Sequence, residues 1–263
     1  MHGYPATRKG GQMVGRIPIL HVMPVVDLGR QAAKATVGEP MPVSATVFRE
    51  GHDKLGAEVV AIDPRGTRRE PVALHKHPER PDFYEATITP DVEGPWTFEV
   101  QAWSDPIGTW QHAAGLKIPA GVDVELMFTE GRLLFERVRG QLTDAIDIKV
   151  IEAAVDAAVD TERPAEARLA ALQSSELTSL LAEHPIRELV TIEGPYPMYA
   201  DRQRALFGSW YEFFPRSEGA TIDPETGHAV SGNFRTALAR LDYAADLGFD
   251  KLNQRRGLDC CRA

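Results

Sequence analysis

Cysteine is close to absent: the only two, Cys260 and Cys261, stand side by side near the C-terminus of a 263-residue chain. Adjacent thiols cannot staple a fold, and a pair falls short of the ligand count of a structural zinc site, so packing alone must hold the domains. Long apolar runs are missing as well. No stretch approaches the roughly 20 residues that a membrane-spanning helix needs. Residues 1–13 carry Arg8 and Lys9 but no apolar segment behind them, which excludes a secretory signal; the Gly, Pro and Lys content of residues 1–15 reads as a disordered leader. Positive charge is in deficit too. Against 38 Asp and Glu there are 29 Lys and Arg, a net charge of −9. A phosphate backbone requires clustered cations, so no nucleic-acid partner is expected. There is no Gly-rich phosphate loop, GxSxG elbow, HExxH pair or internal repeat. These absences fit a cytoplasmic protein with no membrane partner and no cofactor.

What is present changes character along the chain. Residues 16–120 hold short runs rich in β-branched and aromatic side chains, at 17–23, 41–48, 58–62, 84–88 and 97–103. Gly- and Pro-containing clusters separate them. Short strands at near-regular spacing predict an antiparallel, immunoglobulin- or fibronectin-like β-sandwich. Alternation places Trp96, Phe98 and Val100 on one face, toward the core, and Thr97 and Glu99 on the other, toward water. Alanine, leucine and acidic residues then take over across residues 121–185. Val124, Met127, Phe128, Leu134, Phe135 and Val138 form a helical stripe despite Gly131, and Ile146, Val150, Ala153, Ala154 and Ala157 form another. Pro164 opens a third helix with Leu169 and Leu172 inward; Leu177, Leu180 and Leu181 mark a fourth, ended by Pro185. Four amphipathic helices with short connections predict a small bundle. Strand character returns at 186–192, so residues 186–200 are read as the last sandwich strand and a linker, and the bundle as an insertion.

The C-terminal part is organised by FGSWYEFFPRSEG at residues 207–219. Trp210 to Phe214 reads as a buried strand closed by Pro215, followed by a polar loop. A helical pattern covers 233–247 and stops at Gly248. Strand, loop and helix form the first step of a βαβ unit, which needs a second parallel strand. None is expected: residues 251–263 are polar, charged and without strand period, and read as an aberrant tail. A lone βα step should leave Phe207, Trp210, Tyr211, Phe213, Phe214, Phe234, Leu238 and Leu241 partly exposed.

Few residues invite chemistry. His75 and His77 share a strand face, as a metal clip requires, but no third ligand is evident and Pro78 starts a turn, so a solvated loop is the better reading. Trp96, Trp103 and Trp110 suggest a sugar-stacking surface. Strand parity, however, sends Trp96 and Trp103 to opposite faces, and core packing accounts for them more simply. Asp144, Asp147, Glu152, Asp156 and Asp160 are most economically the wet face of a helix, since nothing identifiable would raise one of their pKa values. Cys260 and Cys261 read as tail thiols rather than a redox pair.

Several separate motifs nonetheless resemble one enzyme family. RIPILHVMPVVDLGR (16–30), VGEPMPVSA (37–45), FREGHD (48–53), TFEVQAW (97–103) with Thr109 and Trp110, and PIRELV (185–190) look like the N-terminal domain of the α-1,4-glucan:maltose-1-phosphate maltosyltransferases. RALFGSWYEFFPRSEG (204–219), GNFRT (232–236) and LGFD (247–250) look like the entry to that family's α-amylase-like barrel. The resemblance implies cytoplasmic bacterial homodimers that move maltosyl units from α-maltose 1-phosphate to an α-1,4-glucan with retention. Such retention uses an Asp nucleophile and a Glu acid/base about 5 Å apart, at the C-terminal ends of later barrel strands. After Asp250 the likeness stops, as a shifted reading frame or a truncated gene would produce. No catalytic, cofactor or metal residue is therefore assigned. Glu212 is read as strand support, and Arg216, Ser217 and Glu218 as residues that only shape an active-site rim. The expectation is an inactive N-terminal fragment at the start of an incomplete (β/α)8 barrel (201–250), or alternatively a glucan-binding or dimerisation module.

Overall fold

The computed structural model describes residues 16–249 and 251–254, which form two units that part after Ala200. The first opens with strands β1 (Ile19–Met23), β2 (Ala33–Thr36), β3 (Met41–Val47), β4 (Leu55–Ile62), β5 (Val72–Ala73), β6 (His75–Lys76), β7 (Phe83–Ile88) and β8 (Gly94–Ser104). Five helices follow: α1 (Pro106–Lys117), α2 (Val124–Arg139), α3 (Ala145–Val159), α4 (Ala165–Leu172) and α5 (Ser175–Glu183). The chain then returns as β9 (Glu188–Asp201).

Two antiparallel sheets are built from these strands, one ordered β1-β3-β7-β6 and the other β2-β9-β8-β4-β5. Period-2 patterning sets their inner faces. In β3, Met41, Val43, Ala45 and Val47 are buried while the residues between them turn outward. Pro42 is tolerated in this inner strand because β1 pairs with β3 only from Ser44 onward, so its missing N–H costs no ladder bond there. In β8, Trp96, Phe98, Val100 and Ala102 are buried in one apolar core that both sheets share. Strand β8 lies between β4, with Val59 opposite Val100, and β9, with Met198 opposite Trp96. The β9 register slips between Phe98 and Val100. Gly194 sits at that slip with φ +126°, where a Cβ would press on the Phe98 carbonyl and Glu99, so only glycine fits.

The outer face of β8 departs from expectation. Glu99 is 8 % exposed rather than in water. Arg68 pairs with its carboxylate and the Gln101 amide donates to the same oxygen at 2.7 Å, so the cost of desolvating the charge is offset. The strand expected at 186–192 also runs on to Asp201, because β8 offers backbone partners along its whole length.

Helices begin earlier than composition indicated. The expectation placed them only after residue 120, yet α1 starts at Pro106. Asp105 caps it, accepting from the Gly108 N–H at 2.9 Å, with Pro106 in the first turn. That start signal was legible in Asp105 and Pro106, but the alanine- and leucine-rich composition that marks the helices sets in only at residue 121. Ile107, Trp110 and Ala114 join α2–α5 in a second apolar core. There Trp110 meets Phe135 edge-on at 5.2 Å and donates Nε1–H to the Met127 carbonyl at 2.7 Å. Gly131, unfavourable by propensity inside α2, is where Trp110 lies: a Cβ on it would overlap the indole. Arg168, 3 % exposed, lies over the Phe128 ring at 3.7 Å and grips Glu125 through two hydrogen bonds of 2.7 and 3.1 Å.

In the second unit a 3-10 turn (Gln203–Leu206) leads to β10 (Trp210–Phe213), a hairpin of β11 (Thr221–Ile222) and β12 (Ala229–Val230), α6 (Leu238–Asp246) and β13 (Lys251–Gln254). The last strand overturns the sequence reading. β13 pairs in parallel with β10, Trp210 opposite Lys251 through Phe213 opposite Gln254, so the βαβ unit closes within the stretch read as tail. A ladder is made by backbone N–H and C=O groups and does not require apolar alternation, which is why the polar stretch concealed it. β10 is not a buried strand either: Phe213 is buried, but Trp210 is 59 % exposed. Phe207, Phe214, Phe234 and Leu238 are exposed as expected, because one helix covers one face of a two-stranded sheet. Among the described residues no helix is long and apolar enough to cross a membrane.

Two stability predictions follow from the helical core. Gly131→Ala should cost about 1–3 kcal/mol, the usual range for overpacking, and pairing it with Trp110→Phe should recover part of the loss in urea titrations. The hydrogen bond from Arg168 holds the Glu125 carboxyl below its ordinary range. A depressed folded pKa contributes stability that is present at neutral pH and lost as pH falls through it. The stability deficit of Glu125→Gln should therefore be full at neutral pH and shrink only on acidification below the ordinary glutamate pKa, and one that stays constant there contradicts the pairing.

Candidate functional site

Ligand groups in open parallel α/β units gather beyond the carboxyl ends of the strands, which makes the loop after β10 the first place to look. Its conformation is tied down from three sides. The Ser217 N–H donates to the Phe214 carbonyl at 2.9 Å, closing a turn, and the Gly232 N–H donates to the Arg216 carbonyl at 2.8 Å. The Thr236 hydroxyl donates to the Glu218 carbonyl at 2.6 Å, while the Asn233 side chain accepts from the N–H groups of Arg235 and Thr236. Finally, the Glu218 carboxylate meets Arg240 of α6 at 3.0 Å, and that guanidinium lies 4.9 Å from the Tyr243 ring centroid. The hydrogen bond to Glu218 raises the Arg240 pKa, keeping the cation fixed. Arg216 and Ser217 thus act through their backbone and Glu218 through an ion pair that anchors the loop to the helix. Glu212 is an exposed residue of β10 whose register partner is Asn253.

The candidates in the first unit are dispersed. His75 lies in the short β6, while His77 packs edge-on against Phe83 at 6.0 Å and accepts the Glu79 N–H. Among the described residues no group of three or more His, Cys, Asp or Glu is placed to hold a metal ion. The three tryptophans occupy three places. Trp96 is in the two-sheet core, Trp110 in the helical core, and Trp103 on the outer face of β8, covered by Arg187 at 4.3 Å. All three are at least nine-tenths buried, so they form no stacking platform. The carboxylates of α3 have structural work: Asp144 caps the helix at the Ile146 N–H, Glu152 pairs with Arg139, and Asp160 with Arg163. Asp147 lies in the capped first turn and Asp156 faces outward. Cys260 and Cys261 lie outside the described residues.

Sequence reasoning missed two concave sites in the first unit, because each is assembled from distant segments. A cleft of about 470 Å³ lies among the end of β8, α1, α2 and the start of β9. Two ion pairs line it, Arg49 with Asp53 at 2.9 Å and Arg137 with Glu188 at 2.7 Å, and the Arg49 guanidinium also donates to the Ser104 hydroxyl. A second groove, of about 330 Å³, lies against Trp96 and Met198 with Arg69 and Asp91 among its lining residues. Residues so far apart in the chain leave no local pattern to find.

With the two-sheet and helical cores established, the comparison with known proteins becomes decisive. Residues 15–202 match the family model described as α-1,4-glucan:maltose-1-phosphate maltosyltransferase, domain N/S. The chain belongs to this family. It is 47 % identical to maltosyltransferase 1 of Streptomyces coelicolor over 95 % of its own length and 36 % of the relative's. It is 43 % identical to the Arcanobacterium haemolyticum maltosyltransferase over 90 % of the chain and 34 % of that protein, and 37 % identical to the Mycobacterium tuberculosis one over 90 % and 37 %. The chain therefore spans about a third of the length of the curated maltosyltransferases it matches. At 95 % coverage the Streptomyces likeness passes beyond the N/S region into the unit of β10 and α6.

The Glu218–Arg240 pair yields a local prediction. Arg240→Gln should speed hydrogen exchange of the amides of Ser217 and Ala220 in the loop after β10 while leaving the strands of the first unit unchanged. Unaltered loop exchange would show that the backbone bonds alone fix this loop.

Proposed function

We propose that this chain is the amino-terminal scaffold of an enzyme that transfers maltosyl units from α-maltose 1-phosphate to the non-reducing end of α-1,4-glucans, releasing phosphate and retaining the anomeric configuration. One observation carries the reading: close similarity to maltosyltransferases over nearly the whole chain, combined with coverage of only about a third of theirs. In this reading the two sheets are an immunoglobulin-like sandwich and the helices between β8 and β9 are an insertion into it. The antiparallel pairing of β8 with β9 across those five helices supports it. The β10–α6–β13 unit is the opening of a (β/α)8 barrel, and the rim loop of Arg216, Ser217 and Glu218 shapes its edge.

Retaining transfer needs a carboxylate nucleophile and a carboxylic acid/base on opposite sides of the anomeric centre, about 5 Å apart. In barrel enzymes such groups sit at the C-terminal ends of several strands. We assign no residue of this chain to either role: Glu218 is engaged by Arg240, and no residue matches the family's nucleophile or acid/base. The chain is accordingly inactive by itself, cytoplasmic, and homodimeric through its sandwich and helical parts. The groove beside Trp96 favours a second reading, a module that holds α-glucan without reacting with it.

The test is phosphate release from α-maltose 1-phosphate plus glycogen, with the full-length Streptomyces coelicolor enzyme as positive control. The purified chain should release none above the enzyme-free rate, and measured turnover would remove the scaffold reading.

A further inference from the structure

The cleft of about 470 Å³ among β8, α1, α2 and β9 has an accessible apolar wall and one unspent charge. Glu130, Leu133, Leu134 and Arg137 stand at positions i, i+3, i+4 and i+7, so one face of α2 supplies them all. Leu133 is 48 % exposed there, whereas Phe135 and Val138 of the same helix are buried. A second wall comes from β9. Its register against β8 slips between Ala102 and Ser104, so Leu189 and Val190 stand against Trp103 alone. Leu189 takes up the extra length at φ +56°, a left-handed conformation that leucine rarely adopts, and borders the cleft 41 % exposed. A bulge that holds a leucine in strained backbone and leaves it open to solvent serves a ligand better than it serves packing.

The charges around the cleft narrow the ligand. Arg49 is spent on Asp53 and on the Ser104 hydroxyl, and Arg137 on Glu188. Glu130 is exposed and has no hydrogen bond or ion pair among the described residues. Three carboxylates thus accompany two arginines that are already paired, and an entering anion meets net repulsion. A sugar is poorly served as well, because Trp110 at the border is buried and offers no open ring for stacking. The volume suits a small molecule and not a folded partner. What fits is a compact organic cation, its apolar body against the leucines and its nitrogen on Glu130. One helical turn separates Glu130 from Leu133 and Leu134, about 5–6 Å between Cβ atoms, which sets a short arm between the two parts.

We propose that this cleft binds a small amphipathic amine, with its protonated nitrogen on Glu130 and its apolar body on Leu133, Leu134 and Leu189. The ligand bridges a helix of the helical core and a strand of the two-sheet part, so its binding ties α2 to β9. Stability of the first unit then rises with ligand concentration. The proposal rests on the cleft alone and is independent of the maltosyltransferase reading; no step of sugar transfer is involved.

The experiment is an amide NMR titration of the whole chain at neutral pH with phenethylamine, and with phenethyl alcohol and 3-phenylpropionate as neutral and anionic counterparts of similar shape. Saturable shifts around Glu130 on α2 and at the start of β9 are expected for the amine. The alcohol should bind about tenfold or more weakly, the scale of a lost charge-assisted hydrogen bond, and the acid not at all. Glu130→Gln should weaken the amine by the same factor and leave the alcohol unchanged. Leu133→Ser should weaken both, and Asp147→Asn on α3 neither. Glu130 and Leu133 are exposed on α2, so both variants are expected to fold, which circular dichroism checks. If Leu133→Ser does not fold, Glu130→Gln decides. Amine binding undiminished by Glu130→Gln, the acid binding as tightly as the amine, or no saturable binding overturns the site.

Discussion

The inner face of β8 is the constraint on which the first unit depends. Trp96, Phe98, Val100 and Ala102 place four buried side chains in a row, and the shared core of the two sheets is arranged around them. At roughly 25 cal/mol per Å² of apolar surface removed from water, such a row outweighs any surface ion pair in the unit. The same strand recruits β4 and β9 through its two backbone edges. One residue past its end, Asp105 caps α1, which carries Ile107 and Trp110 into the helical core. A single segment thus commits the chain to one core and delivers it into the next.

This continuity explains how a long helical excursion between neighbouring strands can be accommodated. β9 must find the edge of β8 after five helices, and the closed helical core returns the chain next to the point it left: Arg187, just before β9, forks onto Glu58 of β4 and lies over Trp103 of β8. Buried carboxylates recur on this outer face, and each described one is matched by arginine, Glu58 by Arg187 and Glu99 by Arg68. Removing one partner would strand a charge in a desolvated place, so these pairs secure register more than they add net stability. The second unit has no comparable row. Its parallel pair rests on Phe213 and on Tyr211 packed against Tyr243 and Phe249, which suits a unit whose outer aromatics stay exposed.

Much of this architecture was legible in advance. Alternation revealed β3 and β8, and helical spacing revealed α2 to α5, because a face that must leave water writes its period into the chain. Motif likeness revealed the family. Where the reading failed, side-chain pattern and backbone behaviour had parted. Asp105 and Pro106 started a helix ahead of the composition change at residue 121, and residues 251–254 formed a strand without apolar alternation. The candidate chemistry was hardest to read. Three tryptophans close in sequence were dealt to three different environments, and the carboxylates of α3 proved to be caps and ion-pair partners.

The amino-acid sequence by itself determined which faces are apolar, where most strands and helices lie, and that the chain belongs with the maltosyltransferases, since each is written in residues near one another. Only the tertiary structure decided that β13 closes the unit begun by β10, that Arg240 engages Glu218, and that Arg69, Asp91, Trp96 and Met198 meet around one groove. Backbone pairing is indifferent to side-chain pattern, and a site built from distant segments exists only once two sheets have packed.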